Sequence, residues 1–228
     1  YARLQHNDEI EGLFHALEGR HVDARLGGDP IRNPEVLPSG HSLYQFDSRR
    51  VPTPIAVRRG RDIANHVCSA YRASHDGADP TTIAVVLWGL ETTRTQGETY
   101  AQILSLLGVR SLTPRRPNSP HWEIIPSNEL ERPRVDVVVT ICGFFRDLFS
   151  NLIDELDDIL HAVAALDEPA DINPLAARTR QQAQAMRQSG EPEERIEALA
   201  HARIFGPPPG QYGSGLTDIV DSGQWQSP

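Results

Sequence analysis

The chain has 228 residues, enough for one large domain or two small ones with a real core, and its 22 basic residues against 31 Asp and Glu give a net charge of −9. An acidic chain with no basic cluster argues against nucleic acid and anionic membranes as main partners, and no apolar run approaches the ~20 residues that span a bilayer. All 22 basic residues are arginine, which excludes a Walker A lysine and a Schiff-base lysine.

No signal peptide is visible, and a start at Tyr1 without an initiator Met reads as a piece of a longer protein. Cys68 and Cys142 both sit in apolar segments. They read as free thiols in a reducing, cytoplasmic setting.

In chain order, Ile10, Leu13, Phe14 and Leu17 recur at helical spacing and predict a helix stopped at Gly19. Residues 26–54 are rich in Gly, Pro, Asp and Asn and read as a long ordered loop in which Leu37, Leu43, Tyr44 and Phe46 pack. A helix from Thr53 or Pro54 to about Ser74 follows, with Ile55, Ile63, Val67 and Tyr71 on its buried side. Strands and helices then alternate: "TIAVVLW" (82–88), "ETYAQILSLLG" (98–108), "HWEIIPS" (121–127), "VDVVVTI" (135–141) and "DLFSNLIDELDDILHAVAALD" (147–167). Near-continuous apolar strands separated by helices predict an α/β fold, a mostly parallel sheet flanked by helices on both faces. Residues 169–228 read as two helices parted at Gly190 and Pro192, then a Gly/Pro-rich tail with a short helical stretch near Leu216–Asp221. The expected organisation is a helical, loop-rich entry segment at 1–75, an α/β core at 76–168, and the helical pair and tail at 169–228.

Two strand-to-helix junctions stand out, "WGLETTRTQGE" (88–98) and "CGFFRD" (142–147). Each follows one of the most buried strands, so neighbouring parallel strands would bring both to one crevice at the sheet edge. Glu91, Arg94 and Glu98 fall within a turn-sized segment of the first. A helix beginning near Gly97 would aim free N–H groups at a carboxylate-bearing ligand. Thr95 and Glu98 also form a T-x-x-E capping box, a local role compatible with ligand contact. Trp88 reads as core or as ligand platform, and Arg94 as an internal ion pair or a ligand clamp. In the second junction Asp147 is placed to cap a helix, Arg146 to pair with it or reach the crevice, and Phe144 and Phe145 to be buried or to bracket a flat ligand. "PPPGQYGSG" follows no convincing strand and reads as a constrained surface or cleft-edge loop. The nine histidines form no H-x-H, H-E-x-x-H or other zinc spacing, and there is no G-x-S-x-G elbow.

Taken in order, "IAVVLWGLETTRTQGETYAQILSLLGVR", "RPRVDVVVTICGFFRDLFSNLIDELD", "ALDEP" and "ARIFGPPPGQYGSGL" resemble the large subunit of tetrapyrrole metal chelatases, of the cobaltochelatase CobN and magnesium-chelatase H types. The upstream "GHSLYQFDSRRVPT" adds to the resemblance, which covers most of residues 30–225. It implies an internal portion of a much larger subunit that binds macrocycle and metal, while AAA-type partner subunits hydrolyse the ATP. "LDEPADINPLAARTRQ" and the short "GQYGSG" run look more like the cobalt branch. That branch implies cobalt(II) as substrate metal and a corrin-ring precursor resembling hydrogenobyrinic acid diamide; magnesium insertion into protoporphyrin is the alternative, and a non-catalytic α/β binding or assembly module a third reading. Metal insertion must remove two pyrrole N–H protons and strip water from the metal. Glu91 and Glu98 are the carboxylates expected for that work, and Arg94 and Arg146 the partners of the ring's anionic side chains. Trp88, Gly89, Thr92, Thr95, Gly97, Gly143 and Asp147 complete the expected contacts. The metal ligands are not assigned.

Overall fold

The structure, a computed structural model, describes residues 6–28, 30, 31, 34–44, 48–112, 122–212 and 222. The chain divides into two compact units, Tyr1–Val51 and Pro52–Pro228.

In the first unit, helix α1 spans Glu9–Leu17 with Glu9 and Glu11 in its first turn, where the helix dipole favours acids. Gly19 follows at φ 71°. The periodic residues Ile10, Leu13, Phe14 and Leu17 are each more than half exposed. The buried contact is Gly12, where a Cβ would stand 2.6 Å from the Gly40 carbonyl oxygen. The stretch expected to be a long loop contains two short parallel strands, β1 (Arg25–Leu26) and β2 (Ser42–Tyr44), and a 3-10 turn at Pro34–Val36. Phe46 lies outside the described residues.

The second unit opens with helix α2 (Pro54–Ser74), N-capped by Thr53, whose Oγ1 accepts from the Ala56 N–H. Its buried stripe is Ala56, Gly60, Ala64 and Cys68, one residue per turn, while Ile55, Ile63 and Tyr71 are exposed. Helix separation decides this. At Gly60 a Cβ would come within 2.6 Å of Gln102 N and the Glu98 carbonyl oxygen on the facing helix, so the seam admits small residues and turns the large ones outward.

Strand β3 (Thr82–Leu87) leads into helix α3 (Gly89–Thr95). The first junction is therefore helical rather than a loop. Gln96 and Gly97 are both left-handed, at φ 57° and 97°, and redirect the chain into α4 (Glu98–Leu107), the helix that faces α2. A separate antiparallel pair follows, β4 (Val109–Ser111) with β5 (Trp122–Ile124). Strand β6 (Asp136–Ile141) then pairs with β3 in parallel, in unbroken register from Thr82↔Asp136 to Leu87↔Ile141. The expected single helix over 147–167 is two: α5 (Gly143–Leu148) and α6 (Ser150–Ala164), broken at Phe149. Cys142 caps α5, its Sγ accepting from the Phe145 N–H at 3.4 Å, so Asp147 lies in the last turn instead of at the cap. Helices α7 (Pro174–Gln188) and α8 (Glu193–His201) form the expected pair, and β7 (Ile204–Phe205) adds a third parallel strand beside β6.

One face of this β3–β6–β7 sheet carries Val85, Leu87, Val137, Val139 and Ile141, all buried, with α4 packed against it. On the other face helix cover reaches the first half alone. There Arg178 of α7 bonds Thr82 and Asp136 Oδ2, and buried Arg203 donates to Asp136 Oδ1 at 2.6 Å. Along the second half Ala84, Val86, Thr140 and Phe205 are exposed. The expectation of helices over both faces thus holds for half of the second face.

The core is closed by a fully buried Arg134. It donates to the carbonyls of Leu107, Gly108 and Ile125 at 2.7–3.0 Å and makes a two-pronged pair with Glu168 at 2.7 and 2.9 Å. Asn173 donates to Glu168 Oε2 and caps α7 at Ala176. Both cysteines are free, Cys68 buried and Cys142 half-buried. Among the described residues no helix is long and apolar enough to cross a membrane.

Candidate functional site: a groove at the open end of the sheet

Parallel neighbours β3 and β6 end on the same edge, so α3 and α5 start side by side there. They pack closely. The Gly89 N–H donates to Cys142 Sγ at 3.4 Å, and a Cβ at Gly89 would lie 2.2 Å from Phe144 Cδ1. The two junctions share one edge, as their strands required.

Beside them, on the uncovered half of the sheet, is a groove of about 420 Å³. Val86 and Trp88 supply one wall and Thr140, Ile141 and Cys142 the floor. Phe205, Gly206 and the strap that follows, with Pro207, Pro208, Gln211 and Tyr212, supply the other. Register explains the row of side chains: Val86 pairs with Thr140, and Thr140 with Phe205, so all three stand on one face at one level. Trp88, Phe205 and Tyr212 are 58%, 51% and 64% exposed. Three exposed aromatic rings around one apolar groove suit a flat, largely apolar ligand.

The residues expected from the sequence fall into three groups. Trp88 is in the groove and is exposed rather than core. Gly89, Gly97 and Gly143 act through the backbone; at Gly143 a Cβ would meet Gln211 O at 2.6 Å. Glu91, Arg94 and Glu98 lie outside the groove lining. Glu91 accepts from Thr95 Oγ1 at 3.0 Å and from buried Thr92 Oγ1 at 3.5 Å. Thr95 Oγ1 accepts the Glu98 N–H at 3.2 Å, one half of the expected capping box; the Glu98 carboxylate instead pairs with Arg59 of α2 at 2.7 Å. Arg94 is exposed and bonds nothing among the described residues. Arg146 and Asp147 pair with each other at 2.9 Å and reach the strap rather than the groove floor. Tyr212 Oη donates to Asp147 Oδ2 at 2.6 Å. The bonds from Tyr212 and then from Arg146 hold the Asp147 carboxyl below its ordinary range, and the bond to the Asp147 carboxylate pushes the Tyr212 phenol up.

Val86, Thr140, Phe205 and Tyr212 were not singled out from the sequence. Strand β7 is two residues long and carries no readable periodicity. Reading "PPPGQYGSG" as a cleft-edge loop was the available signal, and residues 206–212 do edge the groove; residues 213–221 lie outside the described set. Among the described residues no three His, Cys, Asp or Glu side chains gather into a metal site.

A parallel sheet whose strand ends open onto a groove is the arrangement in which α/β domains commonly place their ligand sites. The chain belongs to the CobN/magnesium chelatase family, whose model matches residues 1–228. Aerobic cobaltochelatase subunit CobN of Pseudomonas aeruginosa is 41% identical over 221 residues, 96% of this chain and 18% of that protein. The chloroplastic magnesium-chelatase subunit ChlH of Oryza sativa is 36% identical over 219 residues, 96% of this chain and 15% of that protein. The solved catalytic subunit of cobaltochelatase from Mycobacterium tuberculosis superposes with a TM-score of 0.71 at 37% identity, covering 96% of this chain and 18% of that one. The chain therefore spans less than a fifth of the relatives it matches.

Proposed function

We propose that this chain is part of the large, macrocycle-binding subunit of a multi-subunit, ATP-dependent metal chelatase, and that the groove takes one face of the tetrapyrrole. The supporting observation is the aromatic groove at the open end of the sheet, in a family named for cobalt and magnesium chelatases. A conjugated macrocycle gains from stacking on Trp88 and Phe205, and exposed Arg94, unpartnered among the described residues, is a cation that can meet a ring carboxylate. Insertion needs a proton acceptor for the pyrrole N–H groups. Glu98 is the first choice. Its partner Arg59 has a side chain 66% exposed, so solvent screens the pair and the guanidinium can swing away. Glu91 comes second, because the Thr92 and Thr95 hydroxyls already engage it.

The cobalt(II) and corrin-precursor reading rests on "LDEPADINPLAARTRQ" and the short "GQYGSG" run. Magnesium and protoporphyrin form the alternative. The absence of lysine in this chain agrees with ATP hydrolysis on AAA-type partners. A non-catalytic binding module is favoured by one observation, that Glu91 bonds within its own helix.

Complementation of a strain lacking its cobalt chelatase by the full-length protein tests the metal. Rescue is expected; rescue of a magnesium-chelatase strain alone would reverse the assignment. Trp88→Ala or Phe205→Ala in the full-length subunit is expected to weaken porphyrin binding by roughly tenfold, as for loss of an aromatic anchor. Unchanged affinity in both would move the macrocycle elsewhere. Glu98→Gln is expected to lower the chelation rate by roughly 10²–10⁴, the worth of a positioned general base, with macrocycle binding little altered. A near-normal rate would leave Glu98 as the partner of Arg59 only.

A further inference from the structure

The strap Gly206–Tyr212 forms a wall of the groove, yet it is held there in an unusual way for a wall. Six of its seven residues are exposed and Pro207 is half-buried, so little apolar burial fixes it in place. What fixes it is a polar attachment to α5 at both ends. Arg146 Nη1 donates to the carbonyls of Pro207 at 2.8 Å, Pro208 at 2.6 Å and, at longer range, Gln211 at 3.4 Å. Arg146 Nε donates to Asp147 Oδ1 at 2.9 Å, and the other Asp147 oxygen accepts from Tyr212 Oη at 2.6 Å. The guanidinium carbon lies 5.8 Å from the centre of the Tyr212 ring.

The strap is stiff between these attachments. Prolines 207–209 fix φ at three successive positions. Gly210, at φ 83°, makes the turn, and the Gln211 N–H returns to the Pro208 carbonyl at 3.1 Å. Beneath it the backbone of Gly143 leaves no space for a side chain. A stiff segment held by one guanidinium and one carboxylate, both in reach of water, moves as a unit when those bonds break.

We propose that Arg146 and Asp147 are positioning residues that latch the strap as a movable wall of the groove and so set the rate at which a flat macrocycle enters and leaves. This rests on reading the groove as the macrocycle site. It replaces the role of direct ligand contacts that the sequence suggested for the two residues: their polar atoms face the strap, and Tyr212 alone of the three presents a ring to the groove.

The test uses the full-length subunit and three variants that keep side-chain bulk: Arg146→Lys, Asp147→Asn and Tyr212→Phe. Conformational exchange of the strap, followed by NMR relaxation dispersion at labelled Gly210, Gln211 and Tyr212 without ligand, reads the latch. Stopped-flow quenching of tryptophan fluorescence by deuteroporphyrin, a soluble porphyrin dicarboxylate, reads entry and exit. Arg146→Lys and Tyr212→Phe are expected to accelerate strap exchange and to raise both association and dissociation rates by roughly 3- to 30-fold, the range for losing one charge-assisted bond at a part-exposed site. Asp147→Asn, which can still accept from Tyr212, is expected to fall between these and wild type. Melting temperatures should stay at the wild-type value, which a merely structural role would shift. Unchanged strap exchange in all three variants overturns the latch. Fast exchange with unchanged porphyrin rates overturns the gating role. A wild-type subunit that binds no porphyrin overturns the groove reading and the gating with it, and the exchange data then judge the latch alone.

Discussion

Arg134 shows how a residue can be central to the packing and still be unreadable in sequence. "ERPR" offers two arginines two residues apart, and no periodicity says which is interior. In the fold Arg134 is fully buried, whereas Arg132 is half-buried and serves the Ser105 and Leu106 carbonyls. Glu168→Gln strips the counter-charge from a buried guanidinium, and breaking such a pair typically costs about 3–5 kcal/mol. We expect the lower end, because three carbonyls still accept from Arg134; urea denaturation of the chain would measure it. The pH dependence has a definite sign. Hydrogen bonds from Arg134, and then its charge, hold the Glu168 carboxyl below its ordinary range. Its contribution is complete above the unfolded value of about 4.3 and is lost as pH falls through the lower folded value. Wild type should therefore show an acid-unfolding limb that Glu168→Gln has already lost.

At the level of elements, legibility followed chain length and burial. Six-residue strands with apolar runs, β3 and β6, fall within a residue of their predicted spans, as does α4, and α7 and α8 part at Gly190 and Pro192 as predicted. Failures share a physical cause: contacts that local pattern does not encode. The buried side of α2 was assigned to its large residues because periodicity weighs size, but the close approach of α4 selects Ala56, Gly60, Ala64 and Cys68 instead. The break at Phe149 is equally silent, since the apolar spacing runs through it. Gly60 gives the sharpest check. In an exposed helix Gly→Ala stabilises by up to ~1 kcal/mol; here the added methyl meets backbone atoms that cannot swing aside. Gly60→Ala should destabilise by about 1–3 kcal/mol, the usual penalty for overpacking, and Gly60→Val by more. Stabilisation of the alanine variant would show that α2 and α4 separate freely.

For the whole molecule, the sequence points to the sheet edge where the two junctions meet but not to the groove beside it. Junctions 88–98 and 142–147 were found because parallel strands must end together. The groove depends on helix cover stopping halfway along one face, which no single segment states. That bare half-face predicts behaviour of the chain on its own: an apolar reporter dye should bind it, and Trp88→Ser with Phe205→Ser should reduce the signal while leaving circular dichroism unchanged. Equal dye binding by the double variant would assign the signal to other exposed apolar residues, such as those on α1. The register of the strands carries a longer consequence. Val86, Thr140 and Phe205 alternate along their strands with Val85, Val139 and Ile141, which hold the core. On β3 the two sets are separate, Val86 facing the groove and Val85 the core, whereas Ile141 of β6 is buried and still borders the groove. Substitutions at the exposed positions Val86, Thr140 and Phe205 should therefore reshape the groove almost without penalty to stability, so relatives can share this scaffold and still differ in the shape of the groove.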